Sequence, residues 1–261
     1  MLTFDPTAPA LILSPHPDDA VFSCWSVLTG PDPVRVVNLF AAAPETGRVT
    51  RWDRICGAVD SAKHFQARLA EDRAVLEPLV GAPLNLPIHE EQYREGLLGL
   101  ATLDDALCAA VSRASAVYAP AALGGGHTDH RLARGLARGL ARQGMPASLY
   151  ADLPYAVRYG WPHWVTGEPR DPHLDVDPYW EPALIEVPEI ASARDARVLR
   201  LGGEAGTRKL AAMRAYGTQF RALDWGGLLS DPTTVAHEVQ WTLSHARRAV
   251  GTPPPRDPAT R

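Results

Sequence analysis

A succession of short apolar runs, each released by a turn into a longer segment of helical period, constrains this chain more than any other feature. Ala10 to Leu13, Val34 to Phe40, Leu84 to Ile88, Ala116 to Ala119 and Ser148 to Asp152 have the length and composition of buried strands. Between them lie Ala20 to Leu28, Asp60 to Val80 with Phe65, Leu69 and Leu76 among its inward positions, and Leu103 to Ala114. After residue 130, Leu132, Leu136 and Leu140 recur every four residues, with Arg131, Arg134, Arg138 and Arg142 largely off that stripe, as in an amphipathic helix. Strand alternating with helix predicts a Rossmann-like α/β fold, a mostly parallel sheet covered by helices on both faces.

Two of these strands run into unusual turns. Ala10 to Leu13 leads into Ser14-Pro15-His16-Pro17-Asp18-Asp19, and Ala116 to Ala119 leads through Pro120 and Gly124 to Gly126 into His127-Thr128-Asp129-His130. In open α/β sheets the carboxyl edge of the strands is where ligands bind, so the two turns can converge on one cleft. The side chains they gather, His16, Asp18, Asp19, His127, Asp129 and His130, are the parts of a hydrolytic metal site: three protein ligands for a divalent ion such as zinc, with carboxylate and imidazole to spare for proton transfer. Taken singly, the first motif is explained as a turn and the second as a helix cap. Their joint occurrence after apolar strands is what marks a site. The glycines lack the lysine and hydroxyl of a P-loop and the spacing of a dinucleotide turn, and are read as letting the backbone approach the metal.

Pro-His-Pro-Asp-Asp after the first strand, with His-Thr-Asp-His after a glycine turn, resembles the LmbE-like or PIG-L family of metal-dependent N-deacetylases. The likeness extends to Arg68-x-x-Glu71 and to the stretch from Lys209 to Gln219 with Tyr216, so it spans about residues 10 to 245. The resemblance implies that His16, Asp19 and His130 bind the metal, that Asp18 is the general base, and that His127 is a general acid or oxyanion stabiliser. Residue chemistry leads to similar roles. His16 and Asp19, three apart over a turn, can both reach one ion, whereas Asp18 must point elsewhere. An ion of this kind lowers the pKa of water toward ~7, and a neighbouring carboxylate can take its proton as it attacks an amide. Asp129 is expected to orient one of its two histidine neighbours. Arg68 either contacts substrate or forms a surface ion pair with Glu71. One departure from the family is Trp25 where a glycine is common, which either narrows the cleft floor or fills core space.

Beyond residue 152 the texture changes. Pro154 to Pro188 mixes prolines with Tyr155, Tyr159, Trp161, Trp164, Tyr179 and Trp180. This is too aromatic for a linker, and it is read as an irregular elaboration, a lid or rim in which Tyr155 and Trp161 offer ring surfaces to a substrate. Thr207 to Leu223 and Pro232 to Val250 are expected helices. Residues 1–250 are thus read as one domain, and 251–261, rich in proline, as a flexible tail.

Composition bounds the function. The chain has 261 residues, 46% hydrophobic, with a net charge of −4 and no block of like charge, which argues against a nucleic-acid surface. No stretch approaches ~18 consecutive apolar residues, and the N-terminus carries no signal-peptide pattern. Cys24, Cys56 and Cys108 are odd in number and widely spaced, which fits a reducing cytoplasm. The expectation is a zinc-dependent N-deacetylase of an acylated amino sugar or a metabolite bearing one, in specialised-metabolite or thiol metabolism, as a monomer or homo-oligomer. Two alternatives stay open. Two histidines and one carboxylate also make the facial triad of a non-haem Fe2+ oxygenase, and a closed site would be purely structural.

Overall fold

A computed structural model describes residues 5–243 except 97, 99–106, 109, 125, 171–172 and 191–195. Its centre is a seven-stranded mixed sheet. The strands are β1 (Ala10–Ser14), β2 (Val34–Asn38), β3 (Leu84–Asn85), β4 (Val117–Pro120), β5 (Ala147–Tyr150), β6 (Arg197–Arg200) and β7 (His237–Thr242), in the order β3-β2-β1-β4-β5-β7-β6. The pairings from β3 to β5 are parallel, whereas β5 with β7 and β7 with β6 run antiparallel. The chain leaves β1 toward β2 and β3, then returns to β4 on the other flank of β1. The strand order therefore reverses between β1 and β4, and the crevice opened there takes the two turns. Ile12, Leu13, Val117, Ala119 and Leu149 are all buried, as expected of strands covered on both faces.

The helices are α1 (Asp19–Ser23), α2 (Trp25–Leu28), α3 (Arg51–Ile55), α4 (Ser61–Val80), α5 (Thr128–Arg142), α6 (His163–Thr166), α7 (Asp177–Ile185), α8 (Gly203–Arg214), α9 (Phe220–Leu223) and α10 (Pro232–Val235). α5 buries Ala133, Leu136, Ala137 and Leu140 against the sheet, with Leu132 half-buried at the margin. α4 starts on the cap that Asp60 supplies to Lys63 N. Its inner face carries Phe65, Arg68, Asp72 and Leu76, and Leu69 is only half-buried. The expected apolar stripe is therefore partly replaced by two buried charged groups.

Several segments differ from expectation. The helix expected from Ala20 to Leu28 is broken at Cys24, where Glu238 of β7 accepts from Trp25 N at 2.7 Å and Ser26 N at 3.0 Å and so starts α2 anew. Trp25 itself is buried in the core, which settles its space-filling role. The helix expected over Thr207 to Leu223 is split into α8 and α9, because the chain turns at Gly217 toward Glu71, which accepts from Thr218 N and Oγ1. Helix from Pro232 onward stops at Val235, and His237–Thr242 is a strand. Thr, Val and Trp there are weak helix formers that suit a strand paired on both sides. β6 was not anticipated at all. Leu103 to Ala114 lies only partly, and 244–261 wholly, outside the described residues.

The aromatic stretch after Pro154 packs inward for much of its length. Trp161 is 7% exposed, packs 5.5 Å from Trp180, and donates from Nε1 to Thr234 O at 3.2 Å. Tyr159 and Tyr179 stack on each other at the surface, 4.3 Å apart.

Candidate metal centre

Ser14 ends β1 with its hydroxyl donated to His16 O and accepting from Ala20 N, which folds Pro15 to Asp19 into a tight turn. Asp18 takes φ 150°, a conformation L residues rarely adopt. That kink sends neighbouring carboxylates in different directions. Asp19 turns back to accept from His16 N at 2.8 Å, while Asp18 lines a cavity of about 290 Å³. The second turn leaves β4 with Gly124 at φ +63° and Gly126 packed on Ala122, where a Cβ would lie 3.2 Å from backbone atoms. Gly124 and Gly126 thus serve the turn itself. His127 then caps α5 by accepting from Asp129 N at Nδ1, 3.2 Å away.

At the crevice His16, Asp19 and His130 converge, all buried, with one potential ligand atom of each within 4.8 Å of the others. Asp19 Oδ2 lies 3.3 Å from His16 Nδ1 and 3.3 Å from His130 Nε2. The far nitrogen of each imidazole meets its own buried carboxylate: His16 Nε2 lies 3.1 Å from Asp129 Oδ2, and His130 Nδ1 lies 2.9 Å from Asp152 Oδ2. Carboxylates of this kind fix ring orientation and raise the basicity of a ligating histidine. His130 Nε2 is wholly buried and makes no hydrogen bond, a costly arrangement unless something else binds there. Two imidazoles and a carboxylate suit zinc and also suit ferrous iron, so the residues fit a divalent metal. His16, His127 and Asp129 form an overlapping second cluster.

The electrostatics favour a cation between these groups. Burial opposes charge on both histidines, yet Glu90, Asp129 and Asp19 hold His16 well above the usual imidazole range, and Asp19 and Asp152 raise His130 to about 9. Burial also works against the Asp19 charge, but His130 and His16 keep its carboxyl below the usual range. Asp18 moves the other way: burial, and then the Asp19 charge, push its carboxyl well up. For His127, burial and the nearby His16 and His130 lower the pKa to about 3. It is therefore neutral at neutral pH, and because Nδ1 accepts from Asp129 N, its proton sits on Nε2.

The cavity beside these groups is lined by His16, Asp18, Asp19, Arg68, His127 and Tyr155, and also by Trp52, Glu90, Gln92, Gln219 and Trp225. Tyr155 packs edge-on to His130 with ring centroids 5.1 Å apart. Trp161 does not line this cavity. Arg68 is 3% exposed and pairs with Glu90 at 2.5 Å, so the surface ion pair with Glu71 is not formed. Lys209 is buried against Glu238 at 2.8 Å, and Tyr216 donates to Asp72 at 2.8 Å. Both support the scaffold. Asp129 faces the ring of His16, which is neither of its histidine neighbours in the sequence, and it also accepts from Arg94 at 2.6 Å. Sequence reasoning passed over Asp152 and Glu90. Asp152 ends one recognised strand and Glu90 follows another, on the same carboxyl edge as the two motifs, and that position was the available signal. Trp52 and Trp225 gave no such signal.

No family model matches the chain. Over 162 residues it is 32% identical to 2'-N-acetylparomamine deacetylase of Streptomyces fradiae, a stretch covering 56% of this chain and 57% of that relative. The chain thus spans little more than half the length of the curated relative it matches. Among solved structures, the pseudoaglycone deacetylase Dbv21 superposes with a TM-score of 0.62 at 24% identity, covering 93% of this chain and 99% of that one. The zinc-inhibited form of teicoplanin deacetylase Orf2 superposes with a TM-score of 0.64 at 21% identity, covering 92% and 100%. At such identities these two likenesses establish a common fold. The chain is thus similar to a curated deacetylase over part of its length, and it shares the fold of these two deacetylases.

Proposed function

We propose that the protein is a zinc-dependent N-deacetylase that cleaves the acetamide of an amino sugar carried on a small-molecule metabolite. The observation that carries this reading is the paired arrangement of His16 and His130, each with one nitrogen facing Asp19 and the other held by a buried carboxylate. Zinc held by His16, Asp19 and His130 would supply Lewis-acid chemistry there, polarising the amide carbonyl and acidifying water. Asp18 takes the proton of the attacking water, and its raised pKa suits it to pass that proton to the departing nitrogen as the C–N bond breaks. Neutral His127 presents Nε2–H to the oxyanion, a role that fits its low pKa better than that of a general acid. Asp129 and Asp152 hold the imidazoles in place. Arg68, clamped by Glu90, and Tyr155 bound the space for the sugar.

The substrate class is supported by the likeness to a deacetylase of 2'-N-acetylparomamine and by the fold shared with deacetylases of the A40926 pseudoaglycone and of teicoplanin. Among the described residues no helix is long and apolar enough to cross a membrane. The three cysteines are unpaired, which supports a cytoplasmic place. Hydrolysis is preferred over oxygenation because Asp18 provides an acid–base group and His127 a donor to the oxyanion. The test is acetate release from a panel of N-acetylated amino sugars and their glycosides. Release should need metal and fall about 10²- to 10⁴-fold in Asp18→Ala. Oxygen uptake with iron in place of acetate release would overturn the reading.

A further inference from the structure

Beyond His127 the catalytic cavity is continued by an open groove of about 1050 Å³, which shares Trp52, Gln92 and His127 with it. Arg48, Arg51 and Ile55 line the groove, and Ile55 is 58% exposed. Both arginines are exposed, and neither is tied to an acidic partner among the described residues. Glu91 is the carboxylate of the lining, and it is engaged by Thr128 at 3.0 Å and lies 3.7 Å from His127. Trp52 forms the shared wall, and its indole is fixed because Nε1 donates to Gln219 Oε1 at 3.0 Å. Trp52, Gln92 and His127 thus join the groove directly to the cavity that Asp18 lines.

We infer that this groove is a specificity subsite for the rest of the substrate, and that it selects an aglycone with ring surface and a carboxylate over a polycationic one. The inference rests on the deacetylase reading. Trp52 and Ile55 offer apolar surface to a ring, Arg48 and Arg51 offer planar donor forks to a carboxylate, and a scaffold bearing several ammonium groups meets two like charges.

The probes are three biphenyl glycosides of N-acetylglucosamine whose distal ring is unsubstituted, carboxylated or aminomethylated. Their dissociation constants are measured on zinc-loaded Asp18→Asn protein, with and without Arg48→Ala/Arg51→Ala, while acetate release by the unaltered protein is followed in parallel. The carboxylated ligand should bind roughly tenfold tighter than the aminomethylated one. The double substitution should bring that ratio close to one, Arg51→Glu should invert it, and high salt should shrink it. Equal affinities, a preference for the cation, a ratio that survives the double substitution, or no binding of any ligand would overturn the subsite. Acetate release without discrimination would overturn the subsite alone, whereas carboxylate-selective binding without release would leave the subsite standing and remove the deacetylase reading.

Discussion

Asp18 sits at φ 150° with its carboxyl buried and facing the cavity, so local backbone energy is sacrificed to aim one side chain. Glycine relieves that strain and alanine does not. Asp18→Gly should therefore be about 1 to 2 kcal/mol more stable than Asp18→Ala in chemical denaturation, although both lack the proposed base. Equal stabilities would show that the turn is unstrained. A second residue-scale expectation concerns Asp152, which accepts from Ala122 N at 2.9 Å and faces His130 Nδ1. Asp152→Asn keeps the volume but removes the charge behind the imidazole, and zinc affinity by competitive chelation should fall roughly tenfold to a hundredfold. Unchanged affinity would remove Asp152 from the site.

At the scale of elements, α4 shows why buried polar faces escape sequence reading. Its inward positions include Arg68 and Asp72, which look like surface residues until their partners are known: Glu90 for the first, Asn38 and Tyr216 for the second. Burial raises the Asp72 carboxyl to about 6, against hydrogen bonds from Asn38 and Tyr216 that lower it. A folded-state pKa above the unfolded one means that the associated stability is fully present below about 4 and is lost as pH rises through about 6. Asp72→Asn should consequently cost about 2 kcal/mol more at pH 4.5 than at pH 7.5. A cost independent of pH would mean that Asp72 is charged throughout. The same limit explains β7. Glu238 there holds Lys209 and starts α2, long-range partners that no local pattern announces, and a stretch following Asp231-Pro232 reads as helix until its place between β5 and β6 is seen.

For the whole molecule, the parallel half of the sheet and both site motifs were legible because each rests on local signals: apolar runs of strand length and turns rich in proline, aspartate and glycine. The strand order puts β1 beside β4, which joins motifs about 110 residues apart at the switch point. The antiparallel edge and the walls of the cavity were not legible, since Trp52, Glu90, Gln219 and Trp225 come from separate segments and meet only through packing. Trp161, an attractive substrate contact from composition, is instead packed against Trp180. The fold thus delivers one crevice in which a candidate metal triad, a raised carboxyl and a neutral imidazole stand together.

The most direct test of this account is anomalous diffraction at the zinc edge from crystals grown with zinc at one equivalent. A single peak within bonding distance of His16 Nδ1, Asp19 and His130 Nε2, with Asp18 left unligated, is the predicted result. A peak held by His127 and Asp129, or by Asp18 as a fourth protein ligand, would contradict it.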